Sequence, residues 1–290
     1  MRELKGWIIY SNDDYKKNSE FAQRFIAQGP EHGMDIKLVL HEELIYGVKS
    51  GRLSIEADLE PGFPDFVINR TLDSLLAEQF EALDIKVFNN SEVSRICNNK
   101  AKTYLEAVKL GLPVLDTLFL SKKELILWDQ PFNWPGVLKS VAGRGGKEVF
   151  KVNSGEEIRK IAASSYSEHF VLQKMCGSPG RDVRVFVMGK QIIGAIERYA
   201  ENDFKATYSL GAQARLYSLK ENEVELVTKI VNRFDFAFVG IDFIFDENGH
   251  FIFNEIEDVV GSRTLSIHTD VNVVQRYLDL IRDCMDAGKI

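Results

Sequence analysis

The stretch Gly240-Ile241-Asp242-Phe243-Ile244-Phe245-Asp246-Glu247-Asn248-Gly249-His250-Phe251-Ile252-Phe253-Asn254-Glu255-Ile256-Glu257 reads as two apolar strands around a tight turn. Asn-Gly between apolar runs favours a two-residue hairpin, because both central turn residues take positive φ. A turn symmetric about Asn248-Gly249 sets Asp246 opposite Phe251, Ile244 opposite Phe253 and Asp242 opposite Glu255. Glu257, two residues beyond Glu255, shares its face. Its opposite number, Gly240, leaves room there. Three carboxylates thus converge on one face of an apolar sheet. Like charges across a ladder destabilise it. A divalent cation would compensate, and an all-oxygen donor set suits Mg²⁺ or Mn²⁺, with Mg²⁺ usually sharing its shell with substrate phosphates. The competing arrangements are an exposed Asp242, or ion pairs with Arg184, Arg198 or Arg263. On the metal reading, neutralising Asp242 or Glu255 should keep or raise the stability of the metal-free protein.

Upstream the pattern is also antiparallel. Val183 to Met188 and Gln191 to Tyr199 flank Gly189-Lys190 as a second hairpin, and alternate positions along it aim Arg184 and Arg198 at one surface. Arginine suits fixed, bidentate recognition of carboxylate or phosphate. Glu221 to Phe234 reads as an amphipathic helix with Val224, Val227, Val231 and Phe234 on one stripe, and Asp270 to Met285 as a closing helix.

In the middle of the chain, Asn98 or Asn99 caps a helix that runs to Leu110 and stops at Gly111. Strands follow at Val114 to Leu120, Val137 to Val141, Val149 to Val152 and Phe170 to Gln173, with a capping box at Ser154-Gly155-Glu156-Glu157. The turn Gly143-Arg144-Gly145-Gly146 lets backbone N–H groups approach phosphate oxygens, and Lys139 or Arg144 adds charge. It is neither GxxxxGK[ST] nor GxGxxG, and a plain surface turn is the competing reading.

Before residue 95, strand and helix signals alternate. Trp7 to Tyr10, Ile36 to His41, Phe66 to Asn69 and Ile85 to Phe88 are strands, with helices at Tyr15 to Gln28 and Thr71 to Leu83. Such alternation implies a parallel sheet with helices on its faces. Gly47 to Pro64 reads as a loop.

With 290 residues, 45% hydrophobic and 27% charged, the chain can bury a sizeable core, which excludes a disordered protein. A net charge of −7 argues against a basic nucleic-acid face. No uncharged apolar run approaches the roughly 18 residues of a membrane span, and Met1 to Gly6 lacks a secretory apolar stretch. Cys97, Cys176 and Cys284 stand far apart, which suits a reducing cytoplasm. The histidines form no ligand spacing, and no Gly-x-Ser-x-Gly elbow appears.

From about Arg95 to Ile267 a series of motifs stands in order: Asn99-Lys100, Val137-Leu138-Lys139, Leu172-Gln173-Lys174-Met175, Arg181-Asp182-Val183-Arg184, Ala195-Ile196-Glu197-Arg198, Asp203-Phe204-Lys205, Gly240-Ile241-Asp242 and Asn254-Glu255-Ile256-Glu257. The series resembles the ATP-grasp ligases. It is most similar to the RimK-like ribosomal-protein glutamate ligases and their relatives that add amino acids to deazaflavin or pterin cofactors. The resemblance implies an α/β pre-domain at 1–94 and an α+β ATP-grasp fold, with a small lobe (lid) at 95–170 and a C-terminal lobe at 171–290. Nucleotide would lie between two antiparallel sheets.

The same resemblance implies roles for particular residues. Lys100 and Lys139 would contact phosphates and the adenine side, below a lid turn of Gly143, Gly145 and Gly146. Gln173 belongs to the hinge, where main-chain groups of Lys174 and Met175 would hold adenine; Asp182 would hold ribose. Lys205 and Thr207 match positions near the phosphates, and Asp242, Glu255 and Glu257 match metal ligands. Arg198 would hold the acyl phosphate or substrate carboxylate, and with Lys139 it forms the expected catalytic pair.

Four departures stand out. Glu257 replaces the usual Asn, Tyr199 a second arginine, Gly211-Ala212 a glycine pair, and Glu148 a third loop glycine. They count against glutamate as the added amino acid and leave ATP and metal use intact. The expected function is a cytoplasmic, ATP- and Mg²⁺-dependent carboxylate–amine ligase that forms an amide through an acyl phosphate. Its partners would be a small-molecule or peptide carboxylate and an amine, amino acids included. Nucleic acid and membrane are not expected, and a homo-oligomer is left open. The alternative is an ATP-binding regulatory module without turnover. A dinucleotide oxidoreductase is disfavoured because Ser11-Asn12-Asp13-Asp14 follows the first strand.

Overall fold

The computed structural model describes residues 2–57, 62–201, 203–206 and 212–288. The alternating N-terminal segments form β1 (Leu4–Tyr10), α1 (Asn12–Gln28), β2 (Met34–Leu40), β3 (Leu44–Lys49), β4 (Arg52–Ala57), β5 (Phe66–Asn69), α2 (Ser74–Glu81) and β6 (Lys86–Phe88). As the alternation implies, a parallel sheet results, in the order β2-β1-β5-β6. The supposed loop from Gly47 is instead largely an antiparallel hairpin, in which β3 pairs with β4 from Leu44–Ala57 to Lys49–Arg52. Ser50 and Gly51, at φ 52° and 74°, make its turn. The helix α1 leaves helical geometry at Asn18 (φ −128°, ψ 19°), whose amide side chain donates to the Asp14 carbonyl at 2.8 Å.

The next segments are α3 (Ser91–Cys97), α4 (Lys100–Lys109), β7 (Thr117–Ser121), α5 (Lys122–Ile126), β8 (Gly136–Ser140), β9 (Val149–Val152), α6 (Gly155–Ser164) and β10 (His169–Lys174). Asn99 caps α4 by accepting from the Lys102 amide at 3.0 Å. The strands form an antiparallel sheet, β7-β10-β8-β9, whose small core includes Leu125, Leu138, Phe170 and Leu172. A lobe boundary at 170/171 cuts through β10, which pairs with β7 and β8 on either side of it. We propose that the lobes meet between Lys174 and Arg181 instead.

The rest comprises β11 (Arg181–Met188), β12 (Gln191–Tyr199), β13 (Gln213–Leu216), α7 (Glu221–Arg233), β14 (Phe238–Phe245), β15 (Phe251–Glu257), α8 (Arg263–His268) and α9 (Val273–Ala287). The five strands form an antiparallel sheet, β13-β12-β11-β14-β15. Side chains alternate across it. Val183, Val185 and Val187 enter a core with Val227 and Val231 of α7, while Phe186 and Met188 enter one shared with β1, α1 and α9. On α7 the buried stripe is Val227, Ile230 and Val231. Val224 is exposed, and Glu223 is buried instead, accepting from the Tyr217 hydroxyl at 3.0 Å.

The helix α9 joins the N-terminal layer to the C-terminal sheet. Tyr277 packs edge-on against Phe25, at 5.4 Å between ring centroids, and lies 6.1 Å from Phe238. Leu278 beside it is fully buried. Leu278→Ala is expected to lower stability by about 2–5 kcal/mol, transfer and cavity costs together. Urea denaturation measures this, and a loss well under about 1 kcal/mol would mean that the site collapses freely. No helix among the described residues is long and apolar enough to cross a membrane.

Candidate active site

The hairpin β14–β15 pairs Asp242 with Glu255 and Gly240 with Glu257, the pairs expected from the sequence, but it reaches them through a bulge and not through a symmetric two-residue turn. Nearer the turn the ladder slips by one residue, to Phe243–Phe253, Ile244–Ile252 and Phe245–Phe251, so the pairings expected there do not form. Asn254 is the extra residue, a β-bulge that re-aims a side chain. Its Oδ1 accepts from Lys139 Nζ at 2.9 Å, which ties the C-terminal sheet to β8 of the small sheet.

Asp242 is buried, at 1% exposure, and it is not bare. Arg184, its ladder partner on β11, forks onto it with Nε–Oδ1 2.8 Å and Nη2–Oδ2 2.7 Å. Arg198 adds Nη2–Oδ2 at 2.8 Å and forks onto Asp182 at 2.7 and 2.8 Å. Arg184 also pairs with Glu257. The missing side chain at Gly240 makes this arrangement fit, since a Cβ there would lie 3.0 Å from Arg184 Cδ and 2.8 Å from Val260 Cγ2. Burial opposes the ionised form of Asp242, but the two guanidiniums outweigh it and hold the carboxyl down at about 2. Burial pushes Asp182 up to about 6 despite Arg198. Glu255 pairs with Lys100 at 3.3 Å. The charges on this face are therefore interleaved acid with base. Arg263, the third candidate cation, forms no salt bridge among the described residues.

A cleft of 590 Å³ is lined by both antiparallel sheets. It gathers Lys100, Lys139, Gly143, Gly145, Gly146, Gln173, Lys174, Met175, Asp182, Arg198, Lys205, Asp242, Glu255 and Glu257, the sequence-derived candidates that the structure describes. Thr207 lies outside the described residues, as does Gly211. Lys139 is buried, and burial pushes its ammonium down in pKa against the pull of Glu255. Lys100 Nζ donates to the Gly143 carbonyl at 2.5 Å, and Lys205 Nζ to that of Gly146 at 3.2 Å. Two lysines thus hold the glycine turn. Glu148 anchors the base of the turn by accepting from Ser167 Oγ at 2.9 Å. The Gln173 side chain is committed to Tyr104 (3.2 Å) and Thr117 (2.8 Å), so it links β10 to α4 and β7. The Met175 amide donates to the Pro135 carbonyl at 3.2 Å.

Among the described residues no three His, Cys, Asp or Glu side chains converge to hold a cation. Both Asp242 oxygens accept from arginine, so of the three expected acids Asp242 is the one already neutralised by the chain itself. Glu255 and Glu257 still line the cleft. Mg²⁺ characteristically takes one or two carboxylates and completes its shell with phosphate and water, so these two donors fit that smaller role. Asn254 and Arg184 are the contributors that sequence reasoning underrated. The Asn254 bulge had no signal, whereas the strand alternation had already placed Arg184 on the right face.

The match to the RimK-like ATP-grasp domain spans residues 98–281, which takes in both sheets of the cleft. The chain belongs to the RimK-like ATP-grasp family. Among its relatives is a glutamate–LysW ligase ArgX of Sulfurisphaera tokodaii, 26% identical over 211 residues that make up 70% of this chain and 75% of that protein. Another is beta-citrylglutamate synthase B of Mus musculus, 24% identical over 306 residues, covering 99% of this chain and 79% of that one. The fold is shared with D-alanyl-alanine synthetase A of Vibrio cholerae, at a TM-score of 0.72 and 15% identity over 99% of each chain.

Proposed function

We propose that this RimK-like chain is a cytoplasmic ATP- and Mg²⁺-dependent ligase that joins a carboxylate to an amine through an acyl phosphate. The observation that carries the reading is the cleft itself. Lys100, Lys139 and Lys205, a glycine turn, and the carboxylates of Glu255 and Glu257 line it together. Named relatives that ligate or synthesise glutamate conjugates support it.

A substrate carboxylate oxygen attacks the γ-phosphorus of ATP, the bond to the bridging oxygen breaks, and ADP leaves. The amine nitrogen then attacks the acyl carbon, phosphate departs, and the nitrogen loses its proton. The chain's residues position these groups and neutralise charge. Lys139 and Lys100 meet phosphate charge. Arg198, fixed by Asp182 and Asp242, presents its guanidinium to the acyl phosphate. Glu255 and Glu257 would hold Mg²⁺, which would supply neutralisation of phosphate charge. No covalent enzyme nucleophile is required.

The first test is binding. ATP–Mg²⁺ at 100 times its dissociation constant should stabilise the protein by roughly 2.7 kcal/mol. A thermal melt that ignores millimolar ATP–Mg²⁺ would sink the reading. An ADP-release screen over paired acids and amines then identifies the substrates.

A further inference from the structure

Beyond the charge network the cleft reaches the carboxyl ends of the N-terminal strands, where open α/β sheets take their ligands. Arg70 directly follows β5 there, and α1, bent at Asn18, contributes Lys17, Phe21 and Arg24. Arg70 is only 4% exposed yet lines the cleft. One of its terminal nitrogens donates to the Val260 carbonyl at 2.7 Å, and its guanidinium stands 5.4 Å from the Phe21 ring centroid. Its Nε is buried without a hydrogen-bond partner.

Among the described residues no carboxylate forms a salt bridge with Arg70. Asp258, the acid whose field reaches it, is committed to Asn89 at 2.7 Å and Asn98 at 3.0 Å. A buried guanidinium without an anion is destabilising, and it persists here in a chain of net charge −7. Two further arginines in the cleft lack a carboxylate partner among the described residues, although Arg24 is only half-buried and Arg263 is exposed. Arg24 meets the neutral Asn272 at 2.9 Å, and Arg263 lines the cleft without a salt bridge among the described residues. Acids do stand nearby, but Asp14 already faces Lys17 at 3.8 Å and Arg144 at 3.7 Å, and Glu20 is exposed.

The buried Arg70 calls for an anion from outside the chain, and Arg24 and Arg263 bring to the same cleft two guanidiniums without a carboxylate partner among the described residues. Their planar forks suit a carboxylate. We propose that Arg70, with Arg24 and Arg263, forms a subsite for a carboxylate that does not react, so that the acid substrate is dicarboxylic. One carboxylate lies at Arg198 for phosphorylation, and the second docks on Arg70. The proposal rests on the ligase reading but can be tested apart from it.

The test is calorimetry of the full chain without nucleotide, with glutarate as the dicarboxylate probe, butyrate as its monocarboxylate counterpart and inorganic phosphate as a competitor. Glutarate should bind at least about tenfold more tightly than butyrate, the difference expected when a charged hydrogen-bonding group is left unpaired. Arg70→Gln and Arg263→Ala should each weaken glutarate by a similar factor. Arg263 is exposed, so its variant still reports if Arg70→Gln does not fold. Equal binding of glutarate and butyrate, displacement of glutarate by equimolar phosphate, or an Arg263→Ala protein with the parent's glutarate affinity would each overturn the subsite. Failure of ATP–Mg²⁺ to raise the parent's melting temperature would count against the ligase reading alone.

Discussion

Asp242→Asn is expected to destabilise the chelator-treated protein by about 3–5 kcal/mol, the range for removing one partner of a buried ion pair. The sign is opposite to the one that the hairpin alone implies. Counted along the strands, Asp242, Glu255 and Glu257 are crowded acids, and neutralising one should relieve repulsion. In three dimensions Asp242 receives three hydrogen bonds from Arg184 and Arg198, both substantially buried. An amide there leaves two guanidiniums facing a single neutral acceptor. Glu255→Gln should behave differently, because Glu255 lies partly exposed opposite Lys100 and such pairs contribute about 0–1 kcal/mol. Equilibrium denaturation of both variants in chelator decides the matter. An Asp242→Asn protein as stable as its parent would return Asp242 to the metal-ligand set.

The parts of the molecule legible in the sequence were those with local causes. Strands of the N-terminal sheet are short apolar runs bounded by turn residues, and Asn99 capped its helix as its side chain predicts. Asn248-Gly249 marked the place of the hairpin, although of the two only Gly249 takes positive φ (80°) and the loop between Phe245 and Phe251 is longer than two residues. The hairpin β3–β4 is hard to read from the sequence although Ser50-Gly51 is a turn signal, because the glycines and prolines of the surrounding stretch equally suit a loop. The ladder slip at Asn254 has no local cause. It costs one unpaired residue in β15 and is matched by a hydrogen bond from Lys139, 115 residues away in sequence. The same holds for the acids. Their common face follows from a period of two, but whether a cation or an arginine neutralises them depends on β11, another strand in the same sheet.

Lys139→Met should reduce ADP release by about 10²–10³-fold, the usual loss when one preorganised charge-stabilising group is removed. It should also diminish the ATP–Mg²⁺ melting shift. Methionine is the informative replacement because Lys139 is not the loosely packed strand residue that its place before a glycine turn suggests. At 9% exposure its stem fills space beneath the turn, so truncation to alanine would mix lost charge with lost packing. Methionine keeps an unbranched stem of similar length and removes only the ammonium. Burial already disfavours that ammonium, and Glu255 pulls the other way. Its removal should therefore change folding stability by no more than about 1 kcal/mol, set mainly by the Asn254 Oδ1 left without its donor. Nucleotide phosphates would then enter a cleft that has lost one of its buried cations while the turn remains held by Lys100 and Lys205. A Lys139→Met protein that melts like its parent and responds fully to ATP–Mg²⁺ would show that Lys139 serves the fold through Asn254 and not the phosphates. A variant that instead unfolds would place its ammonium in the structural network that joins the two sheets.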